Sequence, residues 1–272
     1  MKWMILPVAV CAVAVVATSV RGQSVFESFA GNQNTSFGGA VGTGSLQVVN
    51  DSLGAINFTY TRGTSNFDNA IVIYIDSQSG GATSTSGFTD AADGLRRAIS
   101  GVDGGNRSTL NFAAGFGADY AIALNNSFAG LWSLSNPASF PFQVSAGLLP
   151  NSASQTETSY SFGITAADIG LTANSGDSFS FFSTYISDTA FRSVETFGAS
   201  YTGSPAAGWN SFDAAGSNTF TLVPEPTTCG FLTAAAVALA ARVARRRTRR
   251  FVIGNRQRST GSLTQENIGH TT

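Results

Sequence analysis

The sequence predicts an all-β fold, an antiparallel β-sandwich of jelly-roll type, flanked by an N-terminal signal helix and a C-terminal transmembrane helix. Three observations carry this expectation. Short segments alternate apolar and polar residues, the period of a strand with one buried face. Clusters of Gly, Asn, Ser and Asp separate them, and these residues supply turn chemistry. Of 272 residues only 11% are charged while 43% are hydrophobic, with 30 Gly and 21 Phe. That charged fraction is less than half the ~25% usual for soluble domains. Such a chain buries enough apolar surface to fold, which excludes wholesale disorder.

Residues 1–22 read as a signal peptide. Lys2 gives the positive start, and residues 4–17 (MILPVAVCAVAVVA) form the apolar stretch ahead of small residues. Cleavage after Ser19 and after Gly22 both fit, and an uncleaved N-terminal anchor is the alternative. A leader of this kind implies the Sec translocon and signal peptidase as partners.

Residues 23–222 are the expected exported domain. Residues 55–61 (AINFTYT) put Ile56, Phe58 and Tyr60 on one face of a half-buried strand. Residues 70–76 (AIVIYID) form a continuous β-branched run, suited to a strand covered on both faces. Further strands are expected at 46–49, 120–124, 128–134, 159–164, 178–186, 191–197 and 218–223. Two helical turns are expected. One is 89–99, with Thr89 as N-cap and Gly101 beyond its end, and the other is 165–169 before Gly170. No repeat of fixed period is present, which disfavours a propeller or solenoid. The proline-rich stretch 137–150 reads as a long loop within a single domain. Both cysteines, Cys11 and Cys229, fall in the terminal apolar segments, so no disulfide closes this domain.

The C-terminal end has three ordered parts. Pro224, Glu225 and Pro226 precede an apolar run at 227–241, and Arg242 leads to a cluster of Arg245, Arg246, Arg247, Arg249 and Arg250. A helix over 227–244 would be ~27 Å long, close to the ~30 Å of a bilayer's hydrocarbon core. The stem of Arg242 would snorkel to the headgroups, and the Arg cluster would stay cytosolic under the positive-inside rule. This order of Pro-Glu-Pro, apolar helix and Arg cluster resembles the PEP-CTERM sorting signal of bacterial envelope proteins (residues 223–250 here). The resemblance implies processing near Pro224, Glu225 and Pro226 by an exosortase-type enzyme, in bacteria that make exopolysaccharide. It also implies a cell-envelope or cell-surface location, with the chain first anchored in the inner membrane and its C-terminus in the cytosol. One departure is plain: family members end soon after the basic cluster, whereas residues 251–272 continue here as a polar cytosolic tail. A simple membrane-anchored protein is the alternative.

Charge follows the same division. Residues 23–223 hold 14 acidic residues against five Arg, a net of −9, while the leader is basic and the end from Arg242 carries eight Arg against Glu266. The acidic middle offers no basic stripe, which argues against nucleic acid as a partner. The only His is His270 and the only Lys is Lys2. A Ser-His-Asp triad, a Cys nucleophile, a His-based zinc site and Schiff-base lysine chemistry are therefore excluded within the domain. Carboxylate-only hydrolysis of glycans stays open, because it needs two Asp or Glu flanking the scissile bond. No cofactor is expected; Ca²⁺ is the one metal to weigh, at Asp76 to Ser79, Asp90 to Asp93 and Asp103 to Asn106, although no EF-hand or RTX spacing occurs.

The stretch 70–198 resembles DOMON-like and family 9 carbohydrate-binding sandwiches. The likeness rests on Tyr74-Ile75-Asp76-Ser77 before a Gly-rich loop, on Gly117-Ala118-Asp119-Tyr120 at the start of a later strand, and on Ile164 to Gly170 leading into a Phe-rich strand. It implies sugar recognition by exposed aromatics. Trp209, in the loop GSPAAGWNS, is the first candidate, and Trp132, inside an expected strand, reads first as core. The expected function is an exported surface or matrix protein, structural or carbohydrate-binding and not an enzyme, with glycan hydrolysis and plain adhesion as alternatives. Intact-mass measurement of the envelope-associated protein is expected to place its C-terminus near Pro226. Retention of the Arg-rich end would overturn the sorting assignment.

Overall fold

The strands begin where the alternation does. β1 (Val25–Ala30), β2 (Ser45–Asn50) and β3 (Ala55–Thr61) alternate more and less exposed residues, and in β3 it is Ile56, Phe58 and Tyr60 that are buried, as expected. β4 (Ala70–Asp76) is buried at its first six positions. A short helix α1 (Gly94–Ser100) follows, capped by the Asp93 side chain, which accepts the Arg96 N–H at 2.9 Å. It ends at Gly101, whose φ of 66° is the left-handed conformation that closes a helix. Then come β5 (Val102–Asp103), β6 (Asn106–Arg107), β7 (Thr109–Asn111), β8 (Tyr120–Leu124), β9 (Ala129–Ser133) and β10 (Phe142–Ser145). β11 (Ser159–Thr165), β12 (Ser178–Ile186), β13 (Ser211–Asp213) and β14 (Asn218–Thr221) complete the chain. A 3₁₀ turn at Ala166–Ile169 carries the capping box of Thr165 and Asp168 and stops at Gly170.

This computed structural model describes residues 24–51, 53–173, 175–223 and 242. The signal peptide, Pro224, Glu225, Pro226, the helix expected at 227–244 apart from Arg242, the Arg cluster and the tail lie outside the described residues. Among the described residues no helix is long and apolar enough to cross a membrane.

The fold is mostly β, and its two large sheets are antiparallel. One has the order β1-β2-β3-β11 and the other β10-β9-β8-β4-β12-β14. Their facing side chains share one core: Leu46, Val48, Phe58 and Tyr60 from the smaller sheet meet Ile71, Ile73, Leu131 and Phe181 from the larger. The opposite face of the larger sheet is covered too. There Val72, Tyr74 and Phe182 pack with Ile99 of α1, Leu110 of β7 and Phe212 of β13 in a second core. Burial on both faces explains why β4 is an unbroken apolar run. β13 and β7 pair in parallel, a departure from the purely antiparallel expectation.

Three expected elements differ. The stretch 137–150, expected as a long loop, carries β10 at Phe142–Ser145, paired with β9 because Phe142 packs on Trp132. The helix expected from residue 89 starts five residues later, because the buried Asp90 carboxylate accepts the N–H of Ala92 at 3.1 Å and of Phe140 at 2.7 Å. Those bonds hold 90–92 in a loop, and Asp93 becomes the cap. Residues 191–197 are not a strand. They touch neighbours through single bridges, Arg192 with Ile186 and Gly208, and Phe197 with Gly31. Side chains take over the ladder's work: the Phe197 N–H goes to Ser183 Oγ at 2.8 Å and that of Glu195 to Ser193 Oγ at 3.0 Å.

Glu195 is fully buried, and both its oxygens serve the loop between β1 and β2. Oε1 accepts the N–H of Phe37 (2.6 Å) and Gly39 (3.2 Å), and Oε2 those of Val41 (2.9 Å) and Gly42 (3.0 Å). Gly39 needs a φ of 85° to aim its N–H inward, a conformation other residues rarely adopt. Replacing Glu195 with Gln leaves one acceptor oxygen and brings an NH₂ group against two donors. E195Q is expected to lose about 3 kcal/mol of stability, measured by urea unfolding. A loss below about 1 kcal/mol would show that the loop is held by other contacts.

Candidate functional site

Trp209 lies on the connection between β12 and β13, just after the bridge in which Gly208 and Arg192 exchange backbone hydrogen bonds of 2.9 and 3.2 Å. Its indole Nε1–H donates to the Thr189 carbonyl at 2.9 Å. Its ring meets Phe191 at 5.0 Å with the planes at 85°, and Phe191 in turn stacks on Phe37 at 5.9 Å. These contacts fix the indole while leaving Trp209 46% exposed. Beside it is an open recess of about 400 Å³ lined by Phe37, Asp68, Asn69, Ser187, Thr189, Phe191 and Trp209.

The polar side of the recess is also organised. Asp68 Oδ1 accepts the Tyr185 hydroxyl at 3.1 Å and the Asn69 side-chain amide at 3.0 Å. Burial, reinforced by the Asp68 charge, pushes the Tyr185 hydroxyl well above its usual range, so it remains a donor at neutral pH. Asp68 Oδ2 has no partner among the described residues. The recess thus combines aromatic surface for C–H groups with a carboxylate, an amide and hydroxyls for polar groups, the two chemistries a sugar ring presents.

Trp132 sits elsewhere. On β9 it is only 3% exposed, packed at 5.5 Å from Phe142 and 6.4 Å from Phe128, both of them more exposed than it is. The three rings crowd over Gly130, where an added Cβ would lie within 2.8 to 2.9 Å of each. Trp132 is core, as its place in a strand predicts.

A carboxylate pair emerges that sequence spacing did not single out. The register that sets Ile75 opposite Tyr120 brings Asp76 and Asp119 to the same end of β4 and β8. Asp119 Oδ2 accepts the N–H of Ser77 at 3.0 Å and of Gln78 at 2.8 Å, while Asp76 Oδ2 accepts that of Gly117 at 3.0 Å. Burial raises the Asp76 carboxyl above the usual range, and the nearby Asp119 charge adds to this against the Gly117 bond. Asp119 lines an open recess of about 420 Å³ with Gln78, Tyr120, Ser133 and Ser135. The only hint in the sequence is that each Asp borders an apolar strand beside a Gly-rich turn.

Among the described residues no three His, Cys, Asp or Glu side chains converge as a metal site. Of the loops weighed for Ca²⁺, Asp90 is engaged with backbone N–H groups, Asp93 caps α1, and Asp103 lies 3.6 Å from Arg97. The chain matches no protein-family model, no curated relative and no solved structure.

Because the folded-state pKa of Asp76 is raised, this carboxyl weakens the fold once pH climbs past the unfolded value near 3.9. Asn keeps an acceptor for Gly117 and removes that cost. D76N is expected to melt slightly higher than wild type at pH 7, by about 2 °C or less, with the gain gone at pH 3 where both forms are neutral. Thermal unfolding at the two pH values checks this, and a lower midpoint at pH 7 would contradict it.

Proposed function

We propose that this is an exported bacterial surface or extracellular-matrix protein whose jelly-roll-like sandwich binds carbohydrate at the Trp209 recess. In this reading a signal peptide delivers the chain through the Sec translocon, and the Pro-Glu-Pro signal passes it to an exosortase-type enzyme. A transmembrane helix at 227–244 anchors it until then, and exopolysaccharide is the ligand class. One observation carries the binding assignment. Trp209 is braced by Phe191 and Thr189, yet nearly half exposed, at the edge of a recess that also holds Asp68 and Asn69. An apolar ring held rigid at a polar recess loses little entropy when a pyranose stacks on it. The acidic balance of residues 23–223 suits neutral or amino sugars better than uronic acids.

A glycan hydrolase is the second reading, favoured by Asp76 and Asp119. Burial raises the Asp76 carboxyl, and a second carboxylate stands beside it at the ends of the same strand pair, the two groups a carboxylate-only hydrolase requires.

A glycan array probed with the full-length protein, followed by calorimetry on a retained glycan, separates these readings. W209A is expected to bind at least about tenfold more weakly, a difference of about 1.4 kcal/mol, with unchanged unfolding. Retention of no glycan by the wild type, or equal binding by W209A, would sink the proposal. Cleavage of a glycan that D76N or D119N abolishes would instead establish the hydrolase.

A further inference from the structure

Of the residues that line the recess beside Trp209, Asp68 is the one with a charge, and none is basic. One of its carboxylate oxygens is already engaged. Oδ1 accepts the Tyr185 hydroxyl at 3.1 Å and the Asn69 side-chain amide at 3.0 Å, and the Tyr185 oxygen in turn accepts the Asn69 backbone N–H at 3.2 Å. These bonds fix the carboxylate between β12 and its own loop. Oδ2 takes no bond among the described residues, so it is the atom left for a ligand. A carboxylate oxygen only accepts, and the strongest hydrogen bonds it makes are to cationic donors.

The neighbouring charges do not supply that cation. Arg62, earlier on the same loop, gives its guanidinium to the carbonyls of Ser65, Thr156 and Glu157. Arg97 stands 3.9 Å from the Asp188 carboxylate, and Arg192 donates to Thr184 Oγ1, which is bonded to Tyr201. Glu195 lies behind the recess and accepts the N–H of Phe37, so a second carboxylate adds to the negative potential of that wall. Tyr185, raised by burial, stays a neutral donor. The apolar wall favours the same kind of ligand: the Trp209 indole is braced and nearly half exposed, and an indole face attracts a cation as well as a C–H surface.

We propose that the Trp209 recess selects amino sugars with a free amine, the sugar ring stacking on Trp209 and its ammonium pairing with Asp68 Oδ2. This rests on the carbohydrate reading of the recess and narrows it to one class of glycan. N-acetylation would remove the positive charge and leave the carboxylate without a counter-ion. A hydroxyl in the same place would be a neutral and weaker donor, and a uronic acid would be repelled. Because the ion pair is open to solvent, the selectivity is modest, about fivefold.

The test is calorimetry of the full-length protein with three β-linked hexasaccharides, built of glucosamine, N-acetylglucosamine or glucose and identical except at the second ring carbon. At about pH 5.5, where amines are protonated, the glucosamine oligomer is expected to bind about fivefold more tightly than the other two. That advantage is expected to vanish at about pH 9, where the sugar amine is neutral while carboxylates remain ionised. D68N keeps an oxygen for Tyr185, and it is expected to bind the three oligomers alike at both pH values. The wild-type comparison at the two pH values decides even where D68N does not fold. Equal binding of all three by the wild type, weakened in common by W209A, would overturn the amine selectivity and leave the carbohydrate reading standing. Binding of none would overturn both, and a glucosamine preference that survives in D68N would overturn the role of Asp68.

Discussion

One buried carboxylate organises the end of the fold where Trp209 lies. Glu195 collects four backbone N–H groups from residues 37–42, a Gly-rich stretch that has no ladder of its own to satisfy them. Leaving such donors unpaired in the interior would cost more than any net gain from the bonds, which is why the arrangement is effectively compulsory once the loop packs down. The consequence reaches the surface. Phe37, whose N–H bonds to Oε1, is thereby seated on Phe191, and Phe191 braces Trp209. The recess around the exposed indole is therefore a product of the interior hydrogen bonds and not of flexible loops meeting by chance.

The second constraint is the double covering of the larger sheet. Apolar side chains on both faces of β4 and β12 demand a layer on each side, supplied by the smaller sheet on one and by α1, β7 and β13 on the other. That outer layer is made of short elements with little local stability. It is held by packing and by side chains that reach under it, such as the Tyr74 hydroxyl bonded to the Ile99 carbonyl and Thr85 Oγ1 accepting the Leu110 N–H at 2.9 Å. Arg192 belongs to the same layer, bonded through Nη1 to Thr184 Oγ1 at 3.0 Å and standing 5.9 Å from the Phe212 ring centre.

Much of this was legible in the residues themselves. The strand at 178–186 matches β12 residue for residue, and the turn at 165–169 has the capping residues its sequence announces. Trp132 in a strand and Trp209 in a Gly- and Pro-rich loop led to the correct burial of each. The stretch 191–197 reads as a strand because Phe191, Val194, Thr196 and Phe197 are strand-favouring residue types, while Arg192 and Glu195 are types that usually face solvent. Both turned inward. β1 was missed, since Phe26, Ser28 and Ala30 on its outer side and Glu27 on its inner one blur the alternation. The start of the helix was misplaced for a similar reason: the carboxylate of Asp90 found a better donor in Phe140, 50 residues away.

The sequence by itself determined most strands of the two large sheets, because alternation and turn residues act over a few neighbours through the geometry of the backbone. It also determined what chemistry the domain lacks, since no His, Cys or Lys is present between residues 23 and 223. Only the tertiary structure decided where the remaining polar groups meet. Asp76 faces Asp119 through strand register, Glu195 finds donors up to 158 residues away, and Arg192 closes against Gly101 and Ser108. The physical reason is that a buried polar group is placed by whichever partners the packed chain brings to it, and those partners are set by the whole fold rather than by any local run of residues.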